Sequence, residues 1–503
     1  MPNALAGGVA EAGARADEGR GVTLAAALGV AALAAAATAP AAIDLPLWQD
    51  EVASARVILE SSPVGVVEHV SRTESTPPGW YLLAWLGIQA GISVEGLRFV
   101  SVVLAAALAG GVVVYARRFL PLWSAAFAGL LTALAWQVAA HGSELRAYAL
   151  FAFLTFGFAV LVERAAEAPT RGRLAALAAC AAAAAYSHYF FVFSAGAALV
   201  WLATEPGVRR ARGRVALAVA VGTATLLAWL PGLVEQVRAE RFGWIDDFDL
   251  LKLGYVPSAL FWDPGTTYAR LGSEPGAWES VARLAILGAV VVGCAVLLRS
   301  DASARLCAHM TIVPVALSGI AWLAGLDVVT GRNLMGVTAF AAVALAAALL
   351  PLPRRVVPVA LAAGVALAVF GYVRSPLDER DRFDRVANGL AAVGWEPGDP
   401  ILLFGSLPDL RSPLEWYLPG DVVLPEAVPN GPCAEMWVVA AAPEGGDFLD
   451  RAGANGREEV GSVEVARVRW SEELVAEAES LGGRYLDSGG DAACLRRIEE
   501  RVT

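Results

Sequence analysis

The chain has 503 residues, of which 57% are hydrophobic and 17% are charged, and its mean hydropathy is +0.56. Soluble domains are about 45–50% apolar and about 25% charged, so the composition excludes a purely soluble protein and indicates a membrane protein. The net charge of −11 comes from one region, because residues 375–503 carry 25 acids and 12 bases, whereas residues 1–374 are nearly neutral. Since nucleic acid requires a basic stripe, the sequence predicts no nucleic-acid partner.

Eleven apolar runs predict membrane-spanning helices, each of which needs about 20 residues to cross a bilayer. The pair between 174 and 203 is the least distinct, because its two runs are nearly continuous. We therefore predict a mostly α-helical, polytopic membrane protein with about 11 transmembrane helices. The runs lie at 22–43, 97–115, 121–140, 148–162, 174–187, 189–203, 215–232, 281–298, 306–325, 334–350 and 356–373.

Residues 1–21 are expected to form a cytoplasmic tail, followed by a membrane domain at 22–374. The first run, 22–43, resembles a signal anchor. It is longer than the roughly 7–15 apolar residues of a cleavable signal peptide, so we predict that it is retained.

The arginines of the short loops sort to one side of this topology. Thirteen arginines fall in one alternate set of loops, whereas the short loops of the opposite set hold only Arg146 and Arg332. Because arginine-rich short loops stay in the cytoplasm, the loop at about 44–96 and residues 375–503 are predicted outside it. The thirteen are Arg117, Arg118, Arg164, Arg171, Arg173, Arg209, Arg210, Arg212, Arg214, Arg299, Arg305, Arg354 and Arg355.

The segment 76–90 in the first outer loop is apolar but short for a span. Counting it as a span would invert every later loop, so we predict an interfacial or re-entrant helix. Its aromatic residues Trp80, Tyr81 and Trp85 are expected in the headgroup layer, where such side chains concentrate.

The C-terminal region, 375–503, has the composition of a soluble domain. Helix-like segments alternate with strand-like ones such as 401–404 and 437–440, which predicts a small α/β domain outside the cytoplasm. Cys433 and Cys494 can form a disulfide in an oxidising compartment, and the sequence leaves this pairing open. The other cysteines are expected to be buried small hydrophobes; these are Cys180, Cys294 and Cys307.

Several polar residues that are difficult to explain as ordinary solvated surface residues lie on the predicted outer side. A carboxylate can accept a proton from an attacking hydroxyl, and arginine or histidine can hold a phosphate and stabilise its charge. Each residue also has a structural interpretation, as a solvated loop residue, an interfacial anchor or a hydrogen-bonded interior histidine. The candidates are Asp50, Glu51, His69, Glu74, Glu144, Arg146, Tyr148, His188 and Arg332.

Two further observations bound the chemistry. No Walker loop, G-x-S-x-G, C-x-x-C or H-E-x-x-H motif is present, so soluble nucleotide chemistry, serine hydrolysis and zincin proteolysis lack support. The long loop 233–280 carries an acidic cluster, Asp246-Asp-x-Asp249, which suits either a solvated loop or the wall of an acceptor site.

The order and spacing of these motifs resemble the GT-C superfamily of membrane glycosyltransferases, specifically the family-39-like group of protein mannosyltransferases, aminoarabinose transferases and Rgt-type lipopolysaccharide core transferases. Asp50-Glu51 resembles the acidic motif of the first loop, and Thr76-Pro-Pro-Gly-Trp-Tyr-Leu-Leu resembles His-Pro-Pro-Leu-Tyr-Tyr. Leu97-Arg-Phe-Val-Ser-Val is similar to an Arg-Leu-Pro-Ser element, Ser143-Glu-Leu-Arg-Ala-Tyr-Ala-Leu to Gln-Glu-Ala-Arg-x-Tyr-Ala-Leu, and Gly331-Arg-Asn-Leu to a late Arg-Tyr-Leu.

The resemblance covers residues 22–350 and implies an enzyme. It would transfer a sugar from a polyprenyl-phosphate carrier to a hydroxyl of a glycan, lipid or protein at the outer face of the cytoplasmic membrane. Asp50 would be the proton acceptor and Glu51 its neighbour or a metal contact. The expected donor- and acceptor-binding residues are His69, Glu74, Glu144, Arg146, Tyr148, His188 and Arg332. A divalent metal is left open, and no other cofactor is implied.

The sequence also departs from the family's motifs. Thr76 stands where histidine is frequent, Gly79 replaces the usual leucine, and Asn333 replaces tyrosine. Two alternatives therefore remain, a degenerate non-catalytic member and a transporter or flippase of lipid-linked sugars. A transporter would need a polar path through the membrane, whereas the predicted spans are mostly Ala, Val and Leu.

Overall fold

The computed structural model describes two compact units, which are treated separately below. The first contains Met1–Asp44 and Val57–Leu377, and the second contains Leu45–Arg56 and Asp378–Thr503. The acidic cluster at 246–249 and the cysteines Cys433 and Cys494 lie outside the described residues. The described residues are 3–239, 261, 277–326, 329–374, 383–392, 401–404, 414, 416–418, 435–441, 455–460, 463–469 and 484–486.

Helices account for most of the described chain, as predicted. Their bounds are α1 Asn3–Asp44, α2 Gln49–Ile58, α3 Pro63–Thr73, α4 Gly79–Gln89, α5 Arg98–Ala116, α6 Leu122–Leu134, α7 Trp136–His141, α8 Tyr148–Glu167, α9 Arg171–Ser187, α10 Phe191–Thr204, α11 Arg212–Ala224, α12 Leu230–Arg238, α13 Ala277–Leu298, α14 Ala302–Leu323, α15 Met335–Ala347, α16 Val357–Arg374 and α17 Phe383–Ala392. Short 3₁₀ helices lie at Pro206–Val208 and Thr225–Trp229.

Six stretches of the described residues are long and apolar enough to cross a membrane. They lie at Gly19–Asp44, Arg98–Ala116, Tyr148–Glu167, Arg212–Arg238, Val281–Leu298 and Ala302–Leu323. Four more apolar helices are shorter, at Leu122–Leu134, Phe191–Thr204, Met335–Ala347 and Val357–Phe370. The chain is therefore a polytopic, integral membrane protein. Each of the eleven apolar runs overlaps at least one helix, whereas six stretches of the described residues are long and apolar enough to span a membrane.

Several helix starts are fixed by residues that cap the first turn. Ser62 accepts a hydrogen bond from the Gly65 backbone N–H at 3.1 Å and precedes Pro63, the first residue of α3. Asp301 accepts one from the Ala304 N–H at 2.9 Å at the start of α14. Such side chains satisfy amide groups that the helix itself leaves without partners.

The first unit packs helix against helix around a core of small and aromatic side chains. Gly110 shows how closely α5 approaches α1, because a methyl group there would lie 2.9 Å from the carbonyl oxygen of Ala27. Just after the C-terminal end of α5, Arg118 donates two hydrogen bonds of 2.8 Å to Glu163 of α8. Ser303 at the start of α14 also donates to Glu163. This end of the helix group is therefore held by a partly buried ion pair.

The second unit contains a five-stranded sheet in the order β3-β4-β2-β1-β5. The strands are β1 Ile401–Phe404, β2 Glu435–Ala441, β3 Asn455–Val460, β4 Val463–Arg469 and β5 Arg484–Leu486. β1 and β2 are parallel, and the other pairs are antiparallel. α2 begins in the same unit, where the Tyr417 hydroxyl donates to the carbonyl of Leu47 at 3.1 Å. The predicted first loop, 44–96, is thus divided between the two units.

Candidate active site

A buried ion pair joins two loops of the first unit. Glu74 directly follows α3, Arg146 lies just before α8, and the Arg146 Nη1 to Glu74 Oε2 distance is 3.0 Å. The Tyr81 hydroxyl of α4 donates to the same carboxylate oxygen at 2.5 Å and lies 3.1 Å from the Thr76 hydroxyl. Burial raises the pKa of Tyr81, so its phenol keeps the proton that it donates.

A second buried pair lies at the start of the same region. His141 Nδ1 and the Glu144 carboxylate are 2.6 Å apart, and neither side chain is exposed. The backbone carbonyl of Glu144 accepts a hydrogen bond of 2.7 Å from Ser101 of α5. The rings of His141 and Tyr148 have centroids 4.6 Å apart, and the Arg146 guanidinium lies 5.9 Å from the Tyr148 ring centroid. Tyr148 thus lies next to one member of each pair, His141 and Arg146.

His188 lies in the turn between α9 and α10, outside both helices, stacked on Phe151 with ring centroids 4.7 Å apart. Burial, reinforced by the positive charges of Arg332 and Arg146 and by His141, lowers the pKa of His188 from 6.5 to about 3. Its ring is therefore neutral at ordinary pH.

The hydrogen bonds of His188 fix which ring nitrogen carries the proton. Nδ1 accepts the Phe190 backbone N–H at 3.3 Å, so the single proton of the neutral ring is on Nε2. Nε2 has no hydrogen-bond partner among the described residues. Since buried donors are nearly always paired, this N–H is a candidate contact for a ligand.

The structure brings most of the predicted binding residues into one buried region. Their side chains contact one another or act electrostatically on His188, and all are at most 7% exposed. They are Glu74, Glu144, Arg146, Tyr148, His188 and Arg332. His69 is different, because its Nδ1 lies 2.8 Å from Glu60 and its side chain is 27% exposed.

Asp50 and Glu51 lie in the second unit, in the first turn of α2. The buried Glu51 carboxylate accepts a hydrogen bond of 3.4 Å from the backbone N–H of Trp48, and the carbonyl of Trp48 accepts from the N–H groups of Glu51 and Val52. This is the carboxylate half of a capping box, so Glu51 has a structural task. Asp50 is partly exposed.

Two aromatic residues of α4 are buried, and two polar residues near the site had no role assigned from the sequence. Trp80 and Tyr81 are each 1% exposed within the protein; their predicted depth, in the headgroup layer, stays a prediction. Because α4 packs against α9, one face of this short helix is turned inward. His141 and Gln236 were not assigned to the site. The signal for Gln236 was its position as a single amide on an otherwise apolar face of α12.

The described residues contain no group of three or more His, Cys, Asp or Glu side chains arranged to hold a metal ion. Cys180, Cys294 and Cys307 are free; Cys294 and Cys307 are buried, and Cys180 is partly so.

Comparisons with known proteins find similar solved structures. No protein-family model matches the chain, and no curated protein matches it significantly. Among solved structures, ArnT from Cupriavidus metallidurans in the apo state is 13% identical, with a TM-score of 0.51 over 92% of this chain and 99% of that one. The same ArnT bound to undecaprenyl phosphate is 15% identical, with a TM-score of 0.41 over 89% and 97%.

An oligosaccharyltransferase from Archaeoglobus fulgidus, in complex with zinc and sulfate, is 15% identical with a TM-score of 0.45, covering 78% of this chain and 57% of that one. At such identities the apo ArnT structure, whose TM-score exceeds 0.5, informs on the fold alone. The chain therefore shares the overall fold of that ArnT.

Proposed function

We propose that this chain transfers a sugar from a polyprenyl-phosphate carrier to a hydroxyl of a glycan, lipid or protein at the outer face of the cytoplasmic membrane. The observation that carries the proposal is the buried group around His188. It combines Arg146, Arg332 and the unpartnered N–H of a neutral histidine. Together with the fold shared with ArnT, this donor set supports binding of the carrier's phosphate.

The chemistry of the donor set favours an anion. Arginine remains charged and can form paired hydrogen bonds with phosphate oxygens. The neutral His188 adds a donor without adding a charge that would repel the arginines. As the sugar leaves, charge develops on the phosphate, and fixed donors in a site shielded from water stabilise it. Glu74 and Glu144 hold Arg146 and His141, respectively, in place.

Asp50 is the candidate general base of this reaction. Its neighbour Glu51 is occupied in capping α2, so of the two acids Asp50 is the better candidate for accepting the proton of the attacking hydroxyl.

The proposal includes a domain organisation. Residues 1–21 would be cytoplasmic, 22–374 would form the membrane domain, and 375–503 would be an extracytoplasmic domain of α/β type. The asymmetric placement of arginines supports this orientation.

The proposal predicts that Asp50→Asn abolishes transfer while leaving the amount of folded protein unchanged. The amide keeps the size of the carboxylate but cannot accept the proton, so loss of about 10²-fold or more is expected. The measurement is mass spectrometry of surface glycans and lipid-linked sugars in cells that lack the protein and carry either version. The control is Asp44→Asn, at an exposed acid at the end of α1.

Full activity of Asp50→Asn would contradict the assignment of the base. A transporter or flippase predicts another pattern, in which the glycan product is made as long as the carrier reaches the outer leaflet by another route. A non-catalytic member predicts no change in either pool when the gene product is absent.

A further inference from the structure

Gln236 is a fully buried amide of α12, and each of its polar atoms has a defined partner. Its Nε2 donates to the backbone carbonyls of Val70 at 3.1 Å and Thr76 at 3.0 Å. Its Oε1 accepts a hydrogen bond of 2.6 Å from the Tyr189 hydroxyl. Two carbonyl acceptors on one side and a hydroxyl donor on the other leave a single orientation for the amide.

The two carbonyls that Gln236 holds lie on either side of Glu74. The carbonyl of Val70 also accepts the backbone N–H of Glu74 at 3.1 Å, where α3 ends. The side chain of Thr76 in turn contacts the Tyr81 hydroxyl. Gln236 therefore fixes the short backbone segment, 70–76, from which Glu74 reaches Arg146.

The opposite end of the same chain of hydrogen bonds leads to His188. Tyr189 is its sequence neighbour, and the Tyr189 hydroxyl accepts a hydrogen bond of 2.7 Å from Trp229 Nε1. Since burial raises the pKa of Tyr189, the hydroxyl keeps the proton that it donates to Gln236. Hydrogen bonds thus run continuously from Trp229 through Tyr189 and Gln236 to the backbone of residues 70–76.

Accordingly, we infer that Gln236 is a positioning residue of the candidate site, which holds Glu74 against Arg146 and ties this pair to the turn that carries His188. The inference rests on the proposed function, because it assigns Gln236 to the phosphate-binding part of that site. The amide acts through Glu74 and is not itself expected to contact the substrate.

The test uses the full-length protein in lipid nanodiscs, with undecaprenyl phosphate as the probe. Gln236→Met keeps the side-chain length but removes the amide, and Tyr189→Phe removes only the hydroxyl that orients it. We expect Gln236→Met to weaken probe binding about tenfold, the order expected when a buried hydrogen bond is lost. Tyr189→Phe should weaken it less. Glu235→Gln, at the exposed neighbour on the same helix, is the matched control and should bind like the wild type.

A double-variant cycle separates positioning from general destabilisation. If Gln236 acts through Glu74, Gln236→Met should cause no further loss of affinity when Glu74→Gln is already present. Hydrogen exchange without the probe should become faster at the amides of residues 70–76 in Gln236→Met and stay unchanged in the control. Equal affinity of Gln236→Met and wild type, or fully additive losses with Glu74→Gln, would overturn the inference.

Failure of the proposed function gives a different result. Wild-type protein that does not bind undecaprenyl phosphate would contradict phosphate binding at this site. Hydrogen exchange at the amides of residues 70–76 would then test, without any ligand, whether Gln236 holds this segment in place. Unchanged exchange in Gln236→Met would overturn the positioning role of Gln236.

Discussion

At the scale of single residues, the sequence indicates which side chains are unusual but not which of them meet. Glu74 and Arg146 are separated by 72 positions, and their pairing depends on the end of α3 reaching the start of α8. The expected roles of Arg146 and His188 could be proposed from their types and their loops. Tyr81 and Gln236 could not, because an aromatic residue or a single amide in an apolar segment is also typical of a lipid-facing or core position.

His188 gives a pH-dependent prediction. Its pKa is about 3 in the folded protein, below the ordinary 6.5, so the unfolded chain binds a proton that the folded one does not. The stabilisation is therefore complete above pH 6.5 and is lost as the pH falls towards 3. We expect the melting temperature of the wild type to fall more steeply between these values than that of His188→Asn, which retains an acceptor for the Phe190 N–H. Differential scanning fluorimetry in detergent measures this, and identical slopes would contradict the neutral buried ring.

At the scale of elements, apolar runs predict where helices lie, but helix packing decides their lengths and breaks. The predicted span at 121–140 is interrupted at Ala135, whose ψ of 127° is not helical, giving α6 and α7. The span at 215–232 contains the 3₁₀ turn Thr225–Trp229. The break at Ala135 has no neighbouring proline, and the Trp136 N–H beside it donates to the carbonyl of Phe261, a contact that hydropathy does not encode. The second break has a local signal, because Pro231 follows the 3₁₀ turn and has no N–H to donate to the carbonyl of Leu227 four residues earlier.

Helix α4 lies so close to α9 that position 79 has no room for a side chain. A methyl group on Gly79 would lie 2.6 Å from the carbonyl oxygen of Tyr186, so the leucine of the motif that this segment resembles would not fit there. Gly79→Ala should push α4 away and lower the melting temperature by several degrees, because overpacking costs about 1–3 kcal/mol.

The matched control for this substitution is Gly157→Ala. No atom lies within 4 Å of a methyl group at Gly157 in α8, and alanine favours a helix interior by about 1 kcal/mol. The melting temperature of Gly157→Ala should be equal to or higher than that of the wild type. If both variants are equally stable, the contact between α4 and α9 is looser than described.

At the scale of the whole molecule, the second unit constrains the number of membrane crossings. Leu45–Arg56 and Asp378–Thr503 belong to one compact unit, and such a unit must lie on one side of a bilayer. The chain between them must therefore cross an even number of times. Five of the six long apolar stretches found among the described residues fall in this interval, so if each crosses, a further segment of the interval must also cross. The ten spans predicted there from the sequence satisfy the same condition.

Single cysteines in a cysteine-free background test this topology in intact cells. Cysteines replacing Glu68 in α3 and Asn388 in α17, both exposed, should react with an impermeant maleimide from outside. One replacing the exposed Arg210 should react only after permeabilisation. If only one of positions 68 and 388 reacts from outside, the number of crossings between them is not even. If position 210 reacts from outside, the predicted orientation is wrong.

The ion pairs of α8 have a consequence for the lipid around the protein. Arg146 is tied to Glu74 just before this helix begins, and Glu163 is tied to Arg118 near its other end. At 20 residues the helix is about 30 Å long, so it keeps the two pairs a fixed distance apart. It cannot slide past the neighbouring helices without breaking one of them. In a thicker or thinner bilayer, the hydrophobic mismatch must therefore be taken up by the lipids or by tilting of the shorter helices, while the spacing of the two ion pairs is preserved.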